Sequence, residues 1–383
     1  MLTPPLAVGV AVANASVVSQ YAPFDNVVSV DKEMDDAAAT ARLDKLRADP
    51  LSRTLPAGLQ SALSQAVRTF PLRIMIVDNS GSMNAADGSR VVNASGWFGE
   101  QAMREIQCTR WEELGDDVVE MAKLSTALNA RTDFHLLNAS SGIQAFTVAR
   151  DAYSLVPALG ASGDVDMAKA SMRTSPCGTT PLTESVMRIV SMVSPRSAEL
   201  RARGEQVAVI IATDGLPNDR RTFLSAMQTL QRLPVFVIVR LCTDCSSVVD
   251  YWNDLDRDLE APLEVLDDLR SEAKEIRQFN PWLTYGGPLH LCRLFGLPGR
   301  LFDAIDETSL TPFQCKQFIE ELLGVRIDAD PRLEEQKFLT DVKAALDLTP
   351  RVINPITMRQ KPWLDVNELQ HAVRPKQSGC AIM

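Results

Sequence analysis

The sequence predicts an α/β fold: a doubly wound, mostly parallel sheet with helices on both faces and one antiparallel edge strand. Three observations carry that expectation. Short apolar runs at residues 72–77 (LRIMIV), 207–213 (VAVIIAT) and 234–241 (PVFVIVRL) are continuous rather than alternating, the pattern of strands covered on both faces. Helical patterns separate these runs, and alternation of strand and helix builds a parallel sheet. Two more strand-like runs, 132–138 (TDFHLLN) and 143–149 (IQAFTVA), are separated only by Ala-Ser-Ser-Gly, so they read as a hairpin that supplies the antiparallel strand.

The elements follow in order. Residues 1–67 form an N-terminal extension, partly disordered or helical, with a short helix near Met34–Arg47 and another over Leu59–Val67. The first strand (72–77) ends at Asp78-Asn79-Ser80-Gly81-Ser82, which is loop chemistry. A long helix is expected from about Glu100 to Asn129, because Trp111, Leu114, Val118, Met121 and Ser125 recur at helical spacing. Pro181–Val193 reads as a helix with proline in its first turn. The run 207–213 ends at Asp214-Gly215, a helix over Arg221–Leu230 follows, and strand 234–241 comes next. From about 242 the character changes. Asp250–Glu260 is acidic and reads as a solvated face, 263–279 is strand-like and then helical, and 281–296 is turn-rich and aromatic. Phe313–Leu323 is helical. The main domain is placed at 68–325. Residues 326–383, with Pro331, Pro350, Pro355 and Pro362, are read as a C-terminal extension holding one helix (about Leu333–Leu346) and a mobile tail.

Bulk properties bound the function. The chain has 383 residues, 45% of them apolar and 23% charged, which suits a globular protein with a real core. A formal net charge of −10 disfavours nucleic acid as a partner. No stretch reaches the roughly 18 to 20 apolar residues of a membrane helix. The opening MLTPPLAVGV lacks a basic segment, so it makes a poor secretory signal. Seven scattered cysteines do not form a disulfide framework and fit free thiols in a reducing compartment. There is no Walker A pattern, no glycine-rich dinucleotide loop, and no Ser-His-Asp arrangement with local support.

Three oxygen-rich segments fall at the carboxyl ends of expected strands or open a helix, where open α/β sheets bind ligands. They are Asp78-x-Ser80-x-Ser82, Gly178-Thr179-Thr180-Pro181-Leu182 and Thr213-Asp214-Gly215. Hydroxyls and carboxylates, completed by water, suit a hard ion such as Mg²⁺ or Mn²⁺. Any one of these segments alone is more readily a cap or turn; their joint order and spacing point to one metal site. The pattern resembles the metal-ion-dependent adhesion site of von Willebrand factor A (VWA) domains over about residues 70–245. That resemblance implies a Rossmann-like fold and a divalent cation held by Asp78, Ser80, Ser82, Thr180 and Asp214. Thr179 is the alternative to Thr180, which is favoured because family members place the ligand just before Pro-Leu. Arg240-Leu-Cys-Thr-Asp244, Val265-Leu-Asp-Asp268, Asn280-Pro-Trp282 and Pro288-Leu-His290 also resemble an extension found in VWA proteins of unicellular eukaryotes, which adds no function.

Weaker signals remain. The chain ends Cys380-Ala-Ile-Met383, a prenylation pattern in which terminal Met favours farnesyl on Cys380. Cys242-x-x-Cys245 with His290 and Cys292 would make a zinc site, but a lone CxxC more often marks buried free thiols. Trp282 and Tyr285 fit packing better than a binding surface. The resulting expectation is a non-enzymatic adaptor whose bound Mg²⁺ captures an Asp or Glu of a protein partner. It would be cytoplasmic, with farnesyl at Cys380 offering attachment to the cytoplasmic face of a membrane. The alternatives are a regulatory subunit of a metal-dependent ATPase or chelatase assembly, or a scaffold whose metal only stabilises it.

Overall fold

The structure is a computed structural model, and it describes residues 32–95, 101–140, 143–149, 161–259, 263–297 and 299–374. In chain order the elements are α1 (Lys32–Ala48), α2 (Ala57–Thr69), β1 (Leu72–Val77), β2 (Gly88–Ser95), β3 (Gln101–Cys108), α3 (Arg110–Ala127), β4 (Thr132–Ser140), β5 (Ile143–Val148), α4 (Ala161–Met172), α5 (Leu182–Val193) and α6 (Ser197–Arg203). There follow β6 (Val207–Thr213), α7 (Arg220–Gln231), β7 (Val235–Leu241), α8 (Ser246–Asp258), β8 (Glu264–Leu266), α9 (Leu269–Phe279), α10 (Gly287–Leu294), α11 (Arg300–Asp303), α12 (Pro312–Leu323), α13 (Glu335–Asp347), β9 (Val352–Asn354), β10 (Arg359–Lys361) and α14 (Val366–Val373).

The central sheet runs β5-β4-β1-β6-β7-β8. β5 is antiparallel to β4 and every other pairing is parallel. The fold is therefore α/β, doubly wound, with one antiparallel edge strand and helices on both faces. Strand order reverses between β1 and β6, so the crevice outside their carboxyl ends is the topological switch point.

Alternate residues of each central strand enter two cores. Leu72, Ile74 and Ile76 of β1, with Val207, Val209 and Ile211 of β6, pack under α5, α6, α7 and α8. Met75 and Val77, with Ala208, Ile210 and Ala212, pack under α2, α3 and α10. Ala208 is small enough that the chain at Gly296, with φ +88°, passes directly over it. Arg73 is buried on this second face, donating from Nε to the Phe295 carbonyl at 2.8 Å with its guanidinium 3.6 Å from the Phe295 ring centre.

Several expectations are corrected. The long helix does not begin near Glu100. Residues 88–95 and 101–108 instead pair antiparallel as β2 and β3, and α3 starts at Arg110 because Thr109 and Glu112 close a capping box. The acidic stretch is the solvated face expected of it, carried on helix α8 with Asp250, Asp254 and Asp258 exposed while Trp252 and Leu255 are buried beneath. Beyond Val325 there is more than one helix. Besides α13, the β9–β10 hairpin and α14 pack inward, with Trp363, Leu364, Leu369 and Val373 in the same core as Leu46 and Leu59. Both described ends of the chain thus close one face of the sheet. Gly58 and Gly324 show how tightly: a Cβ on Gly58 would lie 1.9 Å from the Glu321 carbonyl oxygen.

The residues that resemble the extension of other proteins have structural work. Arg240 is buried and paired with Glu113 and Asp117 of α3. Asp268 caps α9, and the Asn280 amide donates to the carbonyls of Ile305 and Thr308. Trp282 and Tyr285 are core residues.

Candidate metal centre

The first segment leaves β1 at the switch point. Asp78 is fully buried: its Oδ1 accepts from the Ser80 amide at 2.9 Å and its Oδ2 from the Thr213 hydroxyl at 2.6 Å. Burial pushes the Asp78 carboxyl above its ordinary range, against the hydrogen bonds from Ser80 and Thr213 that favour the ionised form. Ser80 and Ser82 lie two apart, one extended and one in a short 3₁₀ turn over Gly81–Asn84. Their hydroxyl oxygens are 3.0 Å apart, and Ser82 Oγ donates to Asp214 Oδ1 at 2.8 Å.

The loops that carry these groups are locked together. The Asn79 side chain grips the Asn138 backbone twice, its Nδ2 donating to the Asn138 carbonyl and its Oδ1 accepting from the Asn138 amide, both at 2.8 Å. The Asn138 amide also donates to the Thr179 carbonyl at 2.8 Å, and the Gly81 amide to the Gly178 carbonyl at 3.2 Å. Gly178 has φ +89°, and a Cβ there would lie 2.6 Å from the Asn138 side chain, so only glycine fits.

The structure brings Asp78, Ser80, Ser82 and Asp214 into one hydrogen-bonded chain. Thr180 sits at its edge: the hydroxyl lies 3.8 Å from where a Cβ on Gly215 would be, so it faces the loop bearing Asp214. Thr179 is exposed and contributes its carbonyl to the Asn138 link. Of the two threonines, Thr180 is the one whose hydroxyl faces the Gly215 turn.

The donor set fits a divalent cation. Oxygens on neighbouring vertices of an octahedron with metal bonds near 2.1 Å lie about 3.0 Å apart. The Ser80–Ser82 and Ser82–Asp214 contacts, at 3.0 and 2.8 Å, are hydrogen bonds that hold these oxygens close enough to share one ion.

One member of the site has no counterpart among the expected residues. Arg110, the first residue of α3, donates from Nη1 to Asp214 Oδ2 at 2.8 Å and grips Asp87 through Nε and Nη2 at 2.7 and 2.6 Å. Asp87, foremost, and then Asp214 push the Arg110 pKa further above its ordinary value, while the same guanidinium pulls the Asp87 carboxyl down. A cleft of about 640 Å³ opens beside this arginine, walled by Asp87, Glu113, Thr243, Asp244, Asp268 and Lys274.

The other sequence signals do not assemble. Cys242 and Cys292 are buried, Cys245 is exposed, and His290 Nδ1 pairs with the Tyr285 hydroxyl at 3.0 Å. Among the described residues no group of three or more His, Cys, Asp or Glu is placed to hold a metal. The Asp78–Asp214 site has only two such residues and draws its other oxygens from hydroxyls. Cys380 lies outside the described residues. Among those described, no helix is long and apolar enough to cross a membrane.

No protein-family model matches the chain. No curated protein matches it either. Among solved structures, it is similar to the manganese-loaded TRAP protein of Plasmodium vivax at 17% identity and a TM-score of 0.29, over 52% of this chain and 69% of that one. So slight a likeness adds nothing to what the sheet order already gives.

Proposed function

We propose that the chain is a VWA-like, divalent-cation-dependent protein-binding module. The observation that carries the reading is the convergence of the Ser80, Ser82 and Asp214 oxygens in one hydrogen-bonded chain at the switch point of the sheet. Ser80, Ser82 and Thr180 would offer hydroxyls and Asp214 a carboxylate. Asp78, with both oxygens engaged, would hold a metal-bound water. Hydroxyl ligands leave Mg²⁺ or Mn²⁺ with net positive charge, so an Asp or Glu from a protein partner completes the shell. The work of the site is capture, without turnover. Farnesyl at Cys380, added in the cytoplasm, would hold the module near a membrane surface.

Calorimetric titration of Mn²⁺ and Mg²⁺ into the full chain tests the reading. One saturable site, lost in Asp78→Ala while the fold is kept, is the expected result. Absence of binding in the wild-type chain at millimolar ion would overturn it. Lysate pulldowns in Mg²⁺ and in EDTA then test capture, and identical partner lists would reject it. Metal-dependent ATP hydrolysis by the pure protein would favour an enzyme subunit instead.

A further inference from the structure

Arg110 stands where local physics disfavours it. It is the first residue of α3, and a cation at a helix N-terminus opposes the helix dipole, which Glu112 and Glu113 in the same turn complement. Nothing about starting α3 calls for arginine, since the capping box of Thr109 and Glu112 does that. What compensates the charge is Asp87 on one side and the buried carboxylate of Asp214 on the other. The Arg110 backbone is tied to the loop that carries Ser82, its amide donating to the Ala85 carbonyl at 3.0 Å. The arginine therefore belongs to the site's own framework.

We propose that Arg110 is the resident counter-ion of the metal centre: it neutralises Asp214 in the metal-free protein, sets cation affinity low, and is itself moderated by Asp87. This rests on the metal reading given above. The Asp214 side chain has no solvent exposure and that of Arg110 has 15%. Their attraction is therefore poorly screened, and so is the repulsion between Arg110 and an incoming cation. Asp214 Oδ1 stays turned toward Ser82 because Oδ2 is held by the arginine. Arg110 thus orients the ligand oxygen and lowers the site's negative charge at once. Asp87, more exposed, supplies charge of the opposite sign one step further out.

The two effects separate experimentally, because a purely structural arginine and a counter-ion predict opposite signs. The experiment is Mn²⁺ titration calorimetry on full-length wild type, Arg110→Gln and Asp87→Asn, with melting curves in EDTA and in saturating Mn²⁺. Arg110→Gln is expected to bind Mn²⁺ on the order of tenfold more tightly. Its Tm in EDTA should fall and its Mn²⁺-induced rise in Tm should grow. Asp87→Asn is expected to bind more weakly, having left Arg110 committed to Asp214. Unchanged or weaker binding by Arg110→Gln, beside a wild type that binds, would overturn the proposal and leave the metal site standing. Binding by Arg110→Gln alone would support the counter-ion while overturning metal capture by the wild-type chain. Binding by none of the three would overturn the metal reading and this proposal together. Should Arg110→Gln not fold, Asp87→Asn decides: weaker binding supports the counter-ion, equal or tighter binding rejects it.

Discussion

The face of the sheet under α5, α6, α7 and α8 is closed by helices that lie between or beside the strands they cover in sequence, whereas the face under α2, α3 and α10 is closed from both described ends of the chain. The first is a run of crossovers that fold against their own neighbours. The second gathers Leu46 and Leu63 from one end and Phe338, Trp363 and Val373 from the other. It also buries charged groups that tie distant segments together. Arg73 reaches a carbonyl 222 residues away, and Arg293 holds Glu264, Glu272 and Asp306 at 2.7 Å each. A sheet face can thus be covered by whatever apolar segments the chain has left, provided that long-range polar anchors fix where they sit. Segments that look like appendages in sequence are here part of the core.

The contrast can be broken at its anchors. The largest effect is expected from Arg293→Met, which strands three carboxylates in a region where Arg293 and Glu272 are each almost fully buried. Removing one partner of such a network costs about 3–5 kcal/mol, readable by chemical denaturation. Survival of full stability would show that the second face does not depend on this anchor.

The next effect is a pH dependence from the same cluster. Burial raises the Glu264 carboxyl to about 7 and that of Glu272 to about 8, against the pull of Arg293. The folded protein therefore holds protons that the unfolded chain, with ordinary glutamates, releases. The stability tied to them is complete below about pH 4.5 and is lost as pH rises through 7 and 8. The denaturation midpoint is expected to fall between pH 5.5 and 8.5 in the wild type and to flatten in Glu272→Gln. An equal slope in both would place the titration elsewhere.

The smallest expected effect tests the seam between the chain's ends. Alanine in place of a helical glycine ordinarily stabilises by about 1 kcal/mol. At Gly58 the added Cβ meets backbone of α12 and Gly324, so overpacking wins and Gly58→Ala is expected to cost about 1–3 kcal/mol. At Gly163 of α4 nothing lies within 4 Å, so Gly163→Ala should keep the ordinary sign. Melting temperatures of the pair, moving in opposite directions, would mark the seam; movement together would erase it.

What was legible in the sequence follows the same division. Strands β1 and β6 were readable to the residue because continuous apolar runs have no other use in a chain of this kind. The oxygen-rich loops after them were readable because Asp78, Ser80, Ser82 and Asp214 stand where such strands must end. The β2–β3 pair was not, since QAMREIQC carries too weak an alternation to outweigh the helical spacing that follows it. Nor was the inward packing of Trp363 and Leu364, because the prolines around them signal turns without saying what the turns connect. Arg110 left no signal at all. The capping box fixes where α3 starts, but nothing local says that its first residue will reach an aspartate 104 positions later.

The seam between α2 and α12 also bears on how the chain is made. Leu59, Leu63 and Val67 emerge from the ribosome some 250 residues before Phe318 and Leu322, with which they share a core. At about 5–20 residues per second, that interval is on the order of tens of seconds. For all of it the apolar side of α2 lacks its final cover, while the opposite face of the sheet can already close over its own crossovers. Synthesis thus imposes an order on this molecule, with one half of the sheet finished early and the other waiting for the last helices to arrive.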